Sequence, residues 1–305
     1  MSVVEVDRLS YSYGSQEALH DLSLSIPDGS LYALLGPNGS GKTTLLQILM
    51  GLRRPTRGSV SIFGVESSSL TVHDRAEIGY IAEGQALPGW MRLRELEQYL
   101  APLYPTWDRS LADHLRDRFD LDPSRTIKSL SRGQHMKVAL LCALAPRPKL
   151  LLMDEPFTGM DALVKDELVR GLLDSAGNEG WTVLLCSHDI GELELLADWV
   201  GFLANGRMSI SQSMDVVRER FKHVEVVTDG VDTLDRASTD DWLSIERAGN
   251  RLTFVTSDAT SDFEQRLRSH LSDAAHVDVR DATLREVFVA LARQNPHHSH
   301  SEVAA

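Results

Sequence analysis

The sequence predicts an α/β fold, because three continuous apolar runs alternate with stretches of helical periodicity. The runs cover residues 31–36, 150–155 and 182–188, and glycine or polar residues end each of them. Such runs are typical of central parallel strands that are covered on both faces. Helices are predicted between them, over residues 41–51 and 161–177, where leucines recur at helical spacing. Residues that follow these strands therefore lie at the carboxyl edge of the sheet, where open α/β folds bind ligands.

Two regions flank or interrupt this core. Residues 3–9, 22–27 and 59–63 alternate in polarity or carry β-branched residues, with Gly and Pro between them. This pattern predicts a short-stranded sheet at the N-terminus. Over about residues 85–148 the pattern becomes helical, which indicates a helical subdomain inserted into the core.

The C-terminal part has its own pattern. Strand and helix patterns restart on a smaller scale after residue 212, with a predicted hairpin that turns at residues 249–250. We therefore predict a domain boundary that separates residues 1–212 from a small α/β domain over residues 213–305. The last residues, from about 296, are expected to be disordered.

Composition limits the functions that are admissible. The 305 residues are 42% hydrophobic, which is enough for a large core, and the formal net charge is −13. This acidic balance speaks against a nucleic-acid partner, because phosphate binding depends on surplus Lys and Arg. The two cysteines lie far apart in apolar runs, as expected for reduced thiols in a cytosolic protein. No apolar run approaches the roughly 18 residues of a membrane span, and the start lacks the layout of a secretory signal. The sequence thus predicts no direct membrane insertion.

The first chemical motif is "GPNGSGKT", Gly36–Thr43, which follows a predicted strand and opens a predicted helix. It satisfies G-x-x-x-x-G-K-[ST] in the structural context of a P-loop. Its glycines allow backbone N–H groups to face phosphates, and the helix N-terminus adds its positive dipole end. Lys42 is expected to contact the β and γ phosphates and Thr43 to ligate Mg²⁺. The predicted nucleotide-binding residues here are Gly36, Asn38, Gly39, Ser40, Gly41, Lys42, Thr43 and Thr44.

The second motif consists of polar residues at the ends of two other predicted strands. Asp154 and Glu155 end one apolar run, and His188 follows another. Asp154 suits the Mg²⁺ shell, and Glu155 suits the polarisation of an attacking water. His188 is the candidate for a group near the γ phosphate.

Together these motifs resemble the nucleotide-binding domain of ATP-binding cassette (ABC) transporters over about residues 11–206, in the family's order and spacing. Residues 130–134, "LSRGQ", resemble the family's signature loop, with Arg132 where glycine is commonest. The resemblance implies a P-loop NTPase of the ABC ATPase type. This fold has an N-terminal antiparallel β-subdomain and an inserted helical subdomain, here followed by a small C-terminal α/β domain.

The resemblance also implies a shared site. Two such domains pack head to tail in that family, as a homodimer or a heterodimer, and each signature loop covers the ATP bound to the other copy. Ser131, Gly133 and Gln134 would then contact the neighbour's nucleotide. Tyr13 matches the aromatic residue that stacks on adenine, and Asp161 matches the loop that reaches across the dimer. Glu155 would be the general base and His188 the switch histidine.

One departure from the family pattern concerns the metal site. Glu83 stands where the family usually ends a strand in glutamine, and Gln85 lies two residues on. Glu83 can still ligate Mg²⁺ or water. Glutamate here, and the segment "YPTWD" at residues 104–108, resemble the ABC-2-type branch of small bacterial exporters, including antibiotic exporters. In that branch the ATPase and the membrane subunit are separate chains.

We therefore expect an ATP-hydrolysing subunit that uses ATP and Mg²⁺ and energises an integral membrane permease. The resemblance implies an exporter on the cytoplasmic face of the cell membrane, held there through the permease. Two alternatives remain: a soluble ABC-type ATPase that acts on ribosomes or DNA, and a non-hydrolysing regulatory subunit that binds ATP. The single cassette, the acidic charge and the absence of a heptad run favour the first expectation over a soluble ATPase.

Overall fold

The protein is described here from a computed structural model. The described residues are 1–160, 164–165, 168–169, 180–191, 193–194, 196–228, 241–257, 259, 263, 267 and 274–294. The chain divides into two compact units, formed by residues 1–189 with 196–211 and by residues 190–195 with 212–305. No helix within the described ranges is long and apolar enough to cross a membrane. Most of the predicted helix over 161–177 and all of the predicted tail from 296 lie outside the described residues.

A six-stranded sheet forms the centre of the first unit, with the strand order β10-β9-β3-β8-β7-β6. The three apolar runs form its strands β3, β8 and β7, which are buried along their whole length. Strands β9, β3, β8, β7 and β6 are parallel, so the residues that follow them meet at one edge. In chain order the strands are β3 (Leu31–Leu35), β6 (Ile78–Ile81), β7 (Leu150–Asp154), β8 (Thr182–Ser187), β9 (Trp199–Ala204) and β10 (Arg207–Ser213).

A second sheet in the N-terminal part of the chain is antiparallel, with the order β2-β1-β4-β5. The predicted sheet is present, but its first two strands are 12 residues long, longer than the alternation indicates. The alternation breaks because the register shifts between Val6 and Leu9, where Arg8 has a positive φ, although the pairing continues beyond. The strands are β1 (Ser2–Tyr13), β2 (Gln16–Pro27), β4 (Arg57–Ile62) and β5 (Val65–Glu66).

Helices fill the space between these sheets and form the predicted insertion. α1 begins directly after the P-loop, and its leucines and Ile48 are fully buried in one core with residues of both sheets. Each such side chain contributes about 1.5–3 kcal/mol on burial, so the helix that follows the P-loop is held rigidly. α5 packs on α3, α4 and β6. The helices are α1 (Lys42–Leu49), α2 (Val72–Ala76), α3 (Leu93–Leu100), α4 (Arg109–Arg118) and α5 (Arg132–Leu144).

The second unit has an antiparallel sheet of order β12-β13-β11-β14. The predicted hairpin is present, with its turn at Gly249 and Asn250 between β12 and β13. Its small core includes Phe254, whose ring stacks on Trp242 with centroids 3.9 Å apart. The elements are α6 (Met214–Arg220), β11 (Lys222–Thr228), β12 (Trp242–Ala248), β13 (Arg251–Thr256), β14 (Ala274–Asp281) and α7 (Leu284–Gln294).

Candidate active site

The segment 36–41 connects β3 to α1 and is constrained at both of its ends. A Cβ on Gly36 would lie 2.2 Å from the carbonyl oxygen of Leu203, and one on Gly41, whose φ is +110°, would lie 2.6 Å from Leu19 Cδ2. Glycine is therefore required at both positions. The other predicted phosphate-binding residues lie along the same loop and first helical turn, with Asn38, Gly39 and Thr43 exposed and Ser40, Lys42 and Thr44 buried.

Lys42 is buried, and its ammonium group lies within the curve of this loop. Its Nζ donates to the carbonyl oxygens of Gly36, at 2.6 Å, and Pro37, at 3.2 Å. The same Nζ lies 3.1 Å from Oε1 of Glu155, and both side chains are more than nine-tenths buried. A buried charge of this kind needs a partner of opposite sign, which Glu155 supplies.

Glu155 is the residue around which the site is built. It directly follows β7, its N–H donates to the carbonyl of Cys186, and its φ is +46°. A left-handed backbone is costly for glutamate and is concentrated at functional sites. Its Oε2 lies 2.7 Å from Nδ1 of His188 and also accepts from the hydroxyl of Thr158, at 3.3 Å. The carboxylate is thus held between an ammonium group and an imidazole.

The structure therefore brings the three predicted catalytic residues together: Glu155 contacts both Lys42 and His188. They come from the first turn of α1 and from the residues that follow β7 and β8. Sequence reasoning missed Thr158, whose hydroxyl helps to fix Glu155. A hydroxyl three residues after an acid at a strand end was the available signal, because such side chains bond locally in turns.

The carboxylate of Asp154 differs from that of Glu155 because it has no basic side chain in contact with it among the described residues. It is 1% exposed, and its Oδ1 has no hydrogen-bond partner among the described residues. Burial raises the pKa of Asp154; a hydrogen bond from Thr43 opposes the rise, and the charges of Glu155 and Glu83 add to it. A buried carboxylate with one unpartnered oxygen, beside other carboxylates, is an arrangement that a divalent cation neutralises. The chemistry of Asp154 therefore suits a divalent cation, with Thr43 and Glu83 as the other ligands predicted from the sequence.

Glu83 lies two residues beyond β6, exposed to solvent, at the same sheet edge as Asp154. Gln85 is partly buried, and its side-chain carbonyl accepts from the N–H of Ala82 at 3.3 Å. The structure therefore places Glu83 nearer than Gln85 to the end of the strand. Its charge is close enough to affect the pKa of Asp154.

Tyr13 ends β1 beside the P-loop helix, and 42% of it is exposed. Its hydroxyl is 3.2 Å from the hydroxyl of Thr44, in the first turn of α1. The ring of Tyr11 meets that of Tyr13 edge to face, with centroids 4.9 Å apart. The guanidinium carbon of Arg53, a residue not predicted to belong to the site, lies 4.7 Å from the Tyr13 ring centroid.

The signature residues lie at the N-terminus of α5. Ser131 and Gln134 form a capping box, in which each side chain accepts from the backbone N–H of the other residue. A Cβ on Gly133 would lie 2.7 Å from Val164, and one on Gly159 would lie 2.3 Å from Nη1 of Arg132. The remaining predicted residue, Asp161, lies outside the described residues.

Similarity to known proteins identifies the family of this chain. The family model for the ABC transporter matches residues 19–158. The lantibiotic transport ATP-binding protein SrtF of Streptococcus pyogenes is 32% identical over 215 residues, which cover 70% of this chain and 92% of SrtF. The chain belongs to the ATP-binding subunits of ABC transporters. The predicted family, and with it the predicted ATPase domain, is confirmed.

Two further relatives of this ABC chain extend the comparison. The sulfate/thiosulfate import ATP-binding protein CysA of Salmonella typhi is 35% identical over 230 residues, which cover 70% of this chain. The chain spans 61% of the length of CysA. A dimeric structure of a post-hydrolysis state of the ATP-binding cassette MJ0796, bound to ADP and Pi, has 25% identity and a TM-score of 0.61. It covers 69% of this chain and 98% of its own, and it confirms the predicted ABC ATPase fold.

Proposed function

We propose that this ABC chain hydrolyses ATP as one half of a head-to-tail dimer and so energises a separate membrane permease. The observation that carries this proposal is the Lys42–Glu155–His188 network at the carboxyl edge of the sheet, in which Lys42 and Glu155 are buried and His188 is exposed. A family member whose task is only to bind ATP has no need of a carboxylate held in this way between two basic groups.

Residues of this chain have distinct roles in the proposed reaction. The phosphates of ATP compete with Glu155 for the Lys42 ammonium group, which frees one carboxylate oxygen. Glu155 then accepts a proton from a water molecule as that water attacks the γ phosphorus, and the bond to the β–γ bridging oxygen breaks. The products are ADP and inorganic phosphate. His188 and Thr158 hold the other oxygen of Glu155, so the base keeps its orientation.

In this proposal Thr43, Asp154 and Glu83 would hold Mg²⁺, which would supply positive charge to neutralise the phosphates of ATP. Tyr13 supplies the stacking surface for adenine, for which an exposed aromatic face is suited. Ser131, Gly133 and Gln134 contact the nucleotide of the neighbouring copy, together with the loop that contains Asp161.

Glu155→Gln is the variant that tests the proposed base. We expect it to bind ATP as the wild type does, to accumulate as an ATP-bound dimer and to lose turnover roughly 10²–10⁴-fold. Phosphate release and equilibrium ATP binding would be measured on the same preparation. Turnover at the wild-type rate would refute the assignment of Glu155.

The proposed partners are a second ATPase chain, the same or a related one, and an integral membrane permease at the cytoplasmic face of the cell membrane. SrtF is a lantibiotic transport protein, and CysA is an import protein. We propose export because Glu83 and the segment at residues 104–108 resemble the exporter branch. Purification of the tagged chain from native membranes should recover a multi-span membrane protein. Ribosomal or DNA-repair proteins in its place would contradict the proposed partner.

A further inference from the structure

Arg53 lies in a small cluster with two tyrosines at the end of β1. Its Nη1 donates to the hydroxyl of Tyr11 at 3.0 Å, and its Nε donates to Oε1 of Gln47. The guanidinium carbon lies 4.7 Å from the ring centroid of Tyr13 and 5.7 Å from that of Tyr11. The first distance is well inside the range of a cation–π contact.

The cluster holds the Tyr13 ring at two points. The guanidinium group of Arg53 covers the ring, and the Thr44 hydroxyl, in the P-loop helix, lies within hydrogen-bond distance at its far end. Arg53 is itself fixed, because Tyr11 and Gln47 accept from two different nitrogens of its planar group. The Tyr11 ring also meets the Tyr13 ring edge to face, yet Tyr13 remains 42% exposed, so part of this residue is accessible to a ligand.

We propose that Arg53 is a positioning residue for the nucleotide base, which holds Tyr13 from one face so that the base stacks on the other. This inference rests on the proposed function, in which Tyr13 is the stacking surface for adenine. An exposed tyrosine loses side-chain freedom when a base stacks on it, and this loss weakens binding. A ring that is already held by Arg53 and Thr44 avoids most of that loss.

Arg53→Ala, with exposed Arg54→Ala as its charge-matched control, tests the proposal. The probes are ATP and inorganic tripolyphosphate, each with Mg²⁺, because tripolyphosphate has the phosphates without the base. We expect Arg53→Ala to weaken ATP binding roughly three- to ten-fold and to leave tripolyphosphate binding unchanged. KM for ATP should rise by a similar factor while kcat stays within about two-fold of wild type. Arg54→Ala should change none of these quantities.

Three results would overturn the proposal. Unchanged ATP affinity in Arg53→Ala would show that the ring needs no support. Equal weakening of ATP and tripolyphosphate would show an effect on the P-loop and not on the base. Tighter ATP binding would show that the guanidinium group covers the face that the base requires.

Tyr13→Ala separates this proposal from the function on which it rests. If Tyr13→Ala weakens ATP binding and Arg53→Ala does not, Tyr13 is the stacking surface and the proposed role of Arg53 is wrong. If Tyr13→Ala leaves ATP binding unchanged, the stacking surface itself is wrong, while the hydrolysis proposal is still tested by Glu155→Gln. Thermal unfolding of each variant identifies any loss of folded protein.

Discussion

Two regions of this chain differ in the hydrogen-bond and ion-pair partners of their polar groups. They are the P-loop region, here the P-loop with Glu155 and His188, and the signature segment, residues 130–134. In the first, Glu155 contacts both Lys42 and His188, and these contacts join elements that lie far apart in sequence. In the second, the side chains of Ser131 and Gln134 are exposed or half-buried; they bond within their own helix cap, and Gln134 also accepts from nearby Arg125. Among the described residues, no hydrogen bond or ion pair joins residues 131–134 to residues 36–44. The polar groups of one region join distant parts of the chain, whereas those of the other bond to nearby residues.

Among the substitutions that test this difference between the two regions, Ser131→Arg is expected to have the largest effect. A long cationic side chain at an exposed cap should leave ATP affinity of the monomer nearly unchanged but lower turnover by at least about 100-fold, because the neighbour's nucleotide loses its cover. Isothermal binding at low protein concentration and phosphate release at high concentration would separate the two quantities. Ser110→Arg, an exposed position on α4, is the control. A large loss of monomer affinity would contradict the proposed sharing.

Asp154→Asn tests how much the buried charge of Asp154 lowers the free energy of unfolding when no ligand is bound. Because burial raises the pKa of Asp154, its charged form opposes folding, and this penalty grows as pH rises above the unfolded-state value. We expect Asp154→Asn to raise the free energy of unfolding by on the order of 1 kcal/mol near pH 7 while abolishing Mg²⁺-dependent turnover. The gain should shrink as pH falls and vanish below the unfolded-state pKa of about 3.9, where Asp154 is protonated in both states. A destabilised variant at neutral pH would contradict this account.

Ser131→Ala probes the signature segment as a helix cap, with the smallest expected effect. Loss of the hydroxyl that accepts from the Gln134 N–H should lower the free energy of unfolding by roughly 0.5–1 kcal/mol. Chemical denaturation at several pH values measures it, and the change should not depend on pH between 5 and 8, because no titratable group is removed. Ser110→Ala serves as the reference substitution. A pH-dependent change would mean that Ser131 is coupled to the carboxylates.

Local patterns predicted most of this fold. Strands β3, β7 and β8 and the P-loop were predictable because each is a short apolar run or motif whose burial follows from its own residues. The lengths of β1 and β2 were not, because their pairing continues across a shifted register in which alternation is lost. Strand alternation therefore locates a sheet better than it delimits its strands.

Contacts between distant residues were harder to predict. The sequence identified Lys42, Glu155 and His188 separately, since each follows a strand, and the parallel order brings them together. Arg53 was missed because it reaches Tyr13 only through the pairing of β1 with β4, which sets Ser10 against Arg57. No spacing within either segment indicates that partnership.

A mixture of two inactive variants is the most direct test of the central claim that each site is shared between two chains. Glu155→Gln and Ser131→Arg would be combined in equal amounts before ATP is added, and phosphate release would be compared with each variant alone. If sites are shared, a mixed dimer contains one complete site, made of the P-loop and Glu155 of one chain and the Ser131 of the other. With random pairing about half of the dimers are mixed, so about a quarter of wild-type turnover should return. Turnover equal to the sum of the two variants measured separately would contradict the account.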